Sequence, residues 1–101
     1  MKTEIINGVN FNVITGKKAA ADIQRNYDFF ISRYGRRGLY DAYKTPSDAK
    51  ISIWQEWSNF ADEIGGRAVV MGAGSHTFSI GIKTDNKIFY ITKGYNKVVN
   101  L

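Results

Sequence analysis

Arginine and tyrosine side chains alternate in one short stretch of the chain, from Arg33 to Lys44. Its twelve residues hold four basic side chains, one acid and three tyrosines. Arginine makes bidentate contacts with phosphate or carboxylate, and tyrosine offers a large, rigid contact area at low entropic cost. The stretch therefore suits single-stranded nucleic acid, whose bases stack on rings, and equally a protein interface. The predicted partner-binding residues are Arg33, Arg36, Arg37, Tyr40, Tyr43 and Lys44.

A structural explanation of the same stretch stays open beside the functional one. An exposed connection between two helices would also be rich in arginine, with its tyrosines tucked under the core. The sequence alone does not decide between this connection and a binding surface.

Residues that could support catalysis are few. His76 is the one histidine and lies between the hydroxyls of Ser75 and Thr77, but a general base needs a geometry made in space, not adjacency in sequence. Asp62 and Glu63 are neighbours, which do not face each other on a helix. The chain has no cysteine, which excludes disulfides, a thiol nucleophile and a cysteine-based zinc site. We therefore expect neither an enzyme nor a metal site, and no cofactor.

Two further motifs have structural explanations. The glycine-rich loop Gly72–His76 precedes a strand, whereas a phosphate-binding loop of this kind needs a helix after it. Trp54 and Trp57 share one helical face and are typical of a core. A pocket for a nucleotide signal, if the chain had one, would be lined by Trp57 and the Gly72–His76 loop.

Length and charge set the broad class. The chain has 101 residues and a formal net charge of +5, which predicts one domain, residues 1–101. No apolar run is long enough to span a bilayer, and the first residues lack a signal-peptide core, so we expect a cytoplasmic protein without a membrane partner. The first fifty residues hold nine basic and five acidic side chains, so the positive field belongs mainly to them.

The elements that must position these residues follow from spacing. Asn7-Gly8 between two β-prone runs predicts a hairpin, because both turn residues must take positive φ. Apolar residues at helical spacing predict a helix from Lys17 to Arg33 or Tyr34, stopped by Gly35. A second helix is expected after Thr45-Pro46, as far as Ile64, with a short helical turn over 39–43 before it.

The remaining sequence is β. Strands are predicted over 68–71, 76–84 and 87–92, and the tail from Gly94 is either a last short strand or an irregular end. This order predicts an α+β fold: an N-terminal β-hairpin, two helices, then a three-stranded antiparallel meander, with the helices packed on one face of the sheet. A terminal edge strand could pair with a second copy, so a homodimer is one expectation.

Short motifs of the chain resemble a loose group of small uncharacterised proteins encoded by phages and other mobile elements. The motifs are Asp41-Ala42-Tyr43, Pro46-Ser47, Ala49-Lys50, Trp54, Gly65-Gly66 and Ser75-His76-Thr77-Phe78. The resemblance covers about half of the chain and brings no catalytic pattern. It implies an accessory protein that binds and blocks host machinery, as anti-CRISPR and other anti-defence proteins do.

Together these observations predict a non-catalytic binding protein. By the resemblance, its partner would be a host protein or nucleoprotein complex in the host cytoplasm. The basic, tyrosine-rich segment would cover a site that nucleic acid or an acidic partner normally fills. Direct binding of DNA or RNA, and a sponge for a nucleotide signal, remain the alternatives.

Overall fold

The computed structural model describes residues 2–38, 48–73, 78–92 and 94–101, and these form two helices and six strands. The elements are β1 (Thr3–Ile6), β2 (Val9–Val13), α1 (Lys17–Tyr34), α2 (Asp48–Glu63), β3 (Arg67–Ala73), β4 (Phe78–Lys83), β5 (Lys87–Thr92) and β6 (Tyr95–Asn100). The α+β class is confirmed. The helical turn predicted over 39–43, the Thr45-Pro46 helix start and His76 lie outside the described residues.

Local turn chemistry behaves as the sequence predicts. Asn7 and Gly8 both have positive φ, 51° and 80°, and join β1 to the antiparallel β2. Gly35 has φ 75°, and its amide donates to the carbonyl of Ile31, which ends α1 where expected. Past the end of α2, Gly65 has φ 73° and the Gly66 amide donates to the Ala61 carbonyl at 2.7 Å. Glycine supplies the left-handed backbone at these stops.

All six strands belong to one sheet of order β1-β2-β6-β5-β4-β3. The predicted three-stranded meander is therefore wrong: β3 to β6 form a meander of four strands, and β6 also pairs in parallel with β2. The tail is a central strand because Val98 and Val99 are both buried, one on each face of the sheet. Consecutive apolar residues of this kind mark a strand that is covered on both sides.

The two helices pack on opposite faces of the sheet, which corrects the expectation that they share one face. On β3, Ala68 and Val70 join the core beneath α2, whereas Val69 and Met71 join the core beneath α1. Because side chains of a strand alternate between faces, an uninterrupted apolar run such as 68–71 requires cover on both sides. The fold thus has three layers, helix, sheet and helix.

The core beneath α2 is the more aromatic one. Phe11 is fully buried and its ring meets Phe89 at 4.9 Å, Phe60 at 5.7 Å and Trp57 at 6.2 Å between centroids. Trp54 is buried and Trp57 is half-buried beside it, so both tryptophans are core residues, as their spacing favoured.

The edges of the sheet are β1 and β3, so the terminal strand is not an edge, and the proposed route to a homodimer through it is wrong. At one edge, Glu4 of β1 accepts hydrogen bonds from Lys87 at 3.0 Å and from Asn100 at 3.1 Å, which fasten the hairpin to β5 and β6. At the other, Gly38 forms a parallel bridge with Val70 of β3. In the described part of the chain, neither helix is long and apolar enough to cross a membrane.

Candidate functional site

The last two turns of α1 carry a row of contacting rings and one arginine. Phe29 meets Phe30 edge to face at 5.1 Å, and Phe30 stacks on Tyr34 at 5.8 Å between centroids. The Arg33 guanidinium lies 5.7 Å from the centre of the Tyr34 ring, within the range of a cation–π contact. Phe29 is 51% exposed and Tyr34 is 36% exposed. We call Phe29, Phe30, Arg33 and Tyr34 the aromatic–arginine patch.

The other two predicted arginines, Arg36 and Arg37, contact different elements of the fold. The Arg36 guanidinium pairs with the carboxylate of Asp62, which joins the end of α1 to α2. The Arg37 carbonyl accepts a hydrogen bond from the Val70 amide at 3.3 Å, so this backbone caps the edge of β3. Arg33, Arg36 and Arg37 all have exposed side chains. The predicted contacts Tyr40, Tyr43 and Lys44 lie outside the described residues.

A cleft of about 510 Å³ opens on the opposite flank of α1, between that helix and the start of β3. Its charged and phenolic lining comes from Tyr27, Asp28, Arg36, Arg67, Lys83 and Asp85. Arg67 begins β3 and Lys83 ends β4, and the two residues lie directly opposite each other in the antiparallel register. Two cations on neighbouring strands therefore share one wall of the cleft.

Tyr27 forms the floor of this cleft. It is only 3% exposed, and its hydroxyl donates to the Arg67 carbonyl at 2.7 Å. Burial is the main cause that raises the pKa of Tyr27 to about 12, because removing water disfavours the phenolate. Tyr27 therefore stays a protonated hydrogen-bond donor that holds the first residue of β3 in place.

Space for Tyr27 comes from Gly81 on β4. A Cβ at Gly81 would lie 2.6 Å from the Met71 sulfur and 3.0 Å from a Tyr27 ring carbon. A side chain there would press mainly on the Met71 side chain and more lightly on the Tyr27 ring.

Among the candidates for catalysis, the neighbouring carboxylates Asp62 and Glu63 are held by different partners. Asp62 pairs with Arg36, and Glu63 accepts a hydrogen bond from the Asn7 side chain, so each carboxylate of the neighbouring pair has its own partner. Among the residues that the structure describes, no three histidine, cysteine, aspartate or glutamate side chains are grouped as metal ligands. The Ser75–Thr77 segment, which includes His76, lies outside those residues.

Sequence reasoning missed the cleft and the pairing of Arg67 with Lys83. The available signal was a basic residue at the start of one predicted strand and another at the end of the next. In an antiparallel hairpin these two positions meet. Comparisons of the chain with protein-family models, with curated proteins and with solved structures found no match.

Proposed function

We propose that this protein is a small non-catalytic binding protein that acts by occupying the surface of a partner. The aromatic–arginine patch at the end of α1 is its central contact. One observation carries the proposal: the half-exposed Phe29 ring continues a row of contacting rings that ends at Tyr34, beside the Arg33 guanidinium. Exposed aromatic rings beside arginine are the side chains that dominate binding energy in protein interfaces.

The net positive charge of the chain favours a partner with a negatively charged surface. A net charge of +5, carried mainly by the first fifty residues, favours an acidic surface and speeds encounter with it. The first choice of partner is a protein with an acidic face. The protein would cover a site on it that nucleic acid or another acidic ligand normally fills.

The biological setting is proposed from the sequence resemblance alone. Small proteins encoded by phages and mobile elements often act by binding host machinery, so the partner proposed for this chain is a host protein or nucleoprotein complex in the host cytoplasm. An anti-defence role, of the anti-CRISPR type, would fit a binder that works by steric exclusion.

Single-stranded DNA or RNA is the second candidate, favoured by the same geometry. Bases stack on exposed rings, and arginine supplies both phosphate contacts and cation–π contacts. The two candidates differ in salt dependence, since phosphate binding releases counterions and weakens steeply as salt rises.

The test compares two charge reversals on the same helix. Arg33→Glu combined with Phe29→Ser removes the patch, whereas Arg25→Glu changes another exposed helix position, one that is paired with Asp22. Immobilised wild-type protein and both variants are incubated with bacterial lysate, and the retained proteins are identified by mass spectrometry.

The proposal predicts one acidic protein retained by the wild type and by the Arg25 variant and lost by the patch variant. A partner retained equally by all three proteins would place the contact elsewhere. Fluorescence anisotropy with labelled oligonucleotides, across a salt series, tests the second candidate. Patch-dependent binding that falls log-linearly with salt would favour nucleic acid over protein.

A further inference from the structure

We propose that the cleft beside Tyr27 is a binding site for a small phosphate ester that carries hydroxyl groups. The phosphate would lie between Arg67, Lys83 and Arg36, which reach the cleft from β3, β4 and the turn after α1. This inference does not rest on the proposed function, because the aromatic–arginine patch lies on the other flank of the helix.

The pairing of Arg67 with Lys83 carries the argument. Directly opposed residues of an antiparallel pair have Cβ atoms about 5 Å apart, and like charges at directly opposed positions destabilise the pairing of the strands. Within the described residues, the ion pairs join other side chains, and none neutralises Arg67 or Lys83. Two cations at opposed strand positions on the wall of a cleft, with no ion pair to another described residue, are an unfavourable arrangement that a bound dianion would reverse.

Arg36 adds a third cation to the cleft, and turning it towards a ligand costs little stability. Its partner Asp62 and its own guanidinium are both exposed, and an exposed ion pair of this kind contributes little to stability. The guanidinium is therefore free to turn from one carboxylate to a phosphate, for which its planar fork is suited.

The structure also fixes the backbone at Arg67. The buried Tyr27 hydroxyl donates to the Arg67 carbonyl at 2.7 Å, so the backbone that carries Arg67 is fixed before any ligand arrives. Groups that are fixed in advance lose less entropy when they bind.

The remaining lining selects an ester rather than free phosphate. Asp28 and Asp85 also line the cleft, and carboxylates repel phosphate but accept hydrogen bonds from hydroxyl groups. The cleft volume of about 510 Å³ falls in the range of small-molecule sites. A sugar phosphate or a nucleoside monophosphate satisfies both the cations and the carboxylates.

Calorimetric titration of the whole chain with ribose phosphate, adenosine monophosphate, inorganic phosphate and ribose tests the inference at constant ionic strength. At least one ester should bind more tightly than inorganic phosphate, and ribose should give no heat. Arg67→Gln and Lys83→Gln should each raise the Kd by about tenfold or more, as expected for a lost charge-assisted contact. Lys18→Gln, which removes an exposed cation from the first turn of α1, should leave the Kd unchanged.

Thermal unfolding separates a binding role from a structural one. Without ligand, Lys83→Gln should unfold at a temperature equal to or above that of the wild type, because the like-charge pair is relieved. With the ester, the wild type and the Lys18 variant should gain stability equally, and the Lys83 variant should gain less at the same ester concentration. The inference is overturned if neither ester binds at millimolar concentration, if inorganic phosphate binds as tightly as the esters, or if the Lys83 variant binds like the wild type.

Discussion

Gly38 lies so close to Val70 that no side chain fits between them. A Cβ on Gly38 would lie 2.3 Å from the Val70 carbonyl oxygen, and the residue has φ 62°. The bridge that it forms, together with the bond from the Val70 amide to the Arg37 carbonyl, covers the outer edge of β3. The segment after α1 is thus fastened to the sheet at Gly38, within the Arg33–Lys44 stretch.

We predict that Gly38→Ala destabilises the fold by about 2 kcal/mol or more, because it combines a backbone clash with a left-handed conformation. Gly65→Ala is the matched control: Gly65 has φ 73°, but nothing lies within 4 Å of its Cβ position. The control should lose only about 1 kcal/mol, the cost of the conformation itself. Urea unfolding of both variants measures the difference, and equal losses would contradict the role of the bridge.

Phe11 and Phe29 differ in their expected roles: Phe11 stabilises the fold, whereas Phe29 contacts a partner. Phe11→Ala should lower the free energy of unfolding by about 3–5 kcal/mol, because Phe11 is fully buried against Phe60 and Phe89. Phe29→Ala should cost under about 1 kcal/mol, since the ring is half-exposed and mainly loses its contact with Phe30. Denaturant unfolding checks both values. A large loss at Phe29 would make the ring a structural residue instead of a contact residue.

Tyr27 should make the protein sensitive to alkali. Its folded pKa of about 12 lies above the ordinary tyrosine value near 10. The folded state thus keeps a proton that the unfolded chain releases, and stability is fully present below pH ~10 and lost as the pH rises towards ~12. Tyr27→Phe should cost about 1 kcal/mol at neutral pH for the lost hydrogen bond to Arg67. Above pH ~10 the free energy of unfolding should fall more steeply with pH in the wild type than in Tyr27→Phe. Equal slopes in the two proteins would contradict the prediction.

Glu4 should make the stability of the protein fall as the pH is lowered into the acid range. Hydrogen bonds from Lys87 and Asn100 lower the pKa of its carboxyl below the ordinary value. A lowered folded pKa gives stability that is present above the unfolded pKa and is lost as the pH falls through the folded one. Glu4→Gln should therefore reduce stability at neutral pH and flatten its loss in acid. Denaturant unfolding across the acid range measures both effects, and an equally steep loss of stability in the two proteins would contradict the prediction.

Local signals predicted the elements well and their assembly poorly. Asn7-Gly8 and Gly35 act through backbone conformation over a few residues, so the sequence reveals them directly. The place of β6 depends on the pairing of Val13 with Val98, which no local pattern records. The two-sided burial of 68–71 was visible as an uninterrupted apolar run, but only a third layer explains it.

The two candidate sites differ in the same way: local sequence places the residues of the patch, whereas the fold places those of the cleft. Arg33 and its aromatic neighbours lie on one helix, and their spacing alone places them together. The cleft joins α1 to the ends of β3 and β4, so it exists only once the chain has folded. Arg67 and Lys83 are sixteen positions apart and meet through strand register alone.

The central position of β6 has a consequence for how the protein is made. Of the six described strands, β1 and β2 are synthesised first, but their neighbour in the sheet beyond the hairpin is β6, the last of the six. A nascent chain that lacks β6 holds two separate pieces of sheet, each with an open edge and uncovered apolar residues. The six-stranded sheet can therefore become continuous only after β6 has been synthesised. Its closing step joins residues at opposite ends of the chain, which is the slow kind of contact to form.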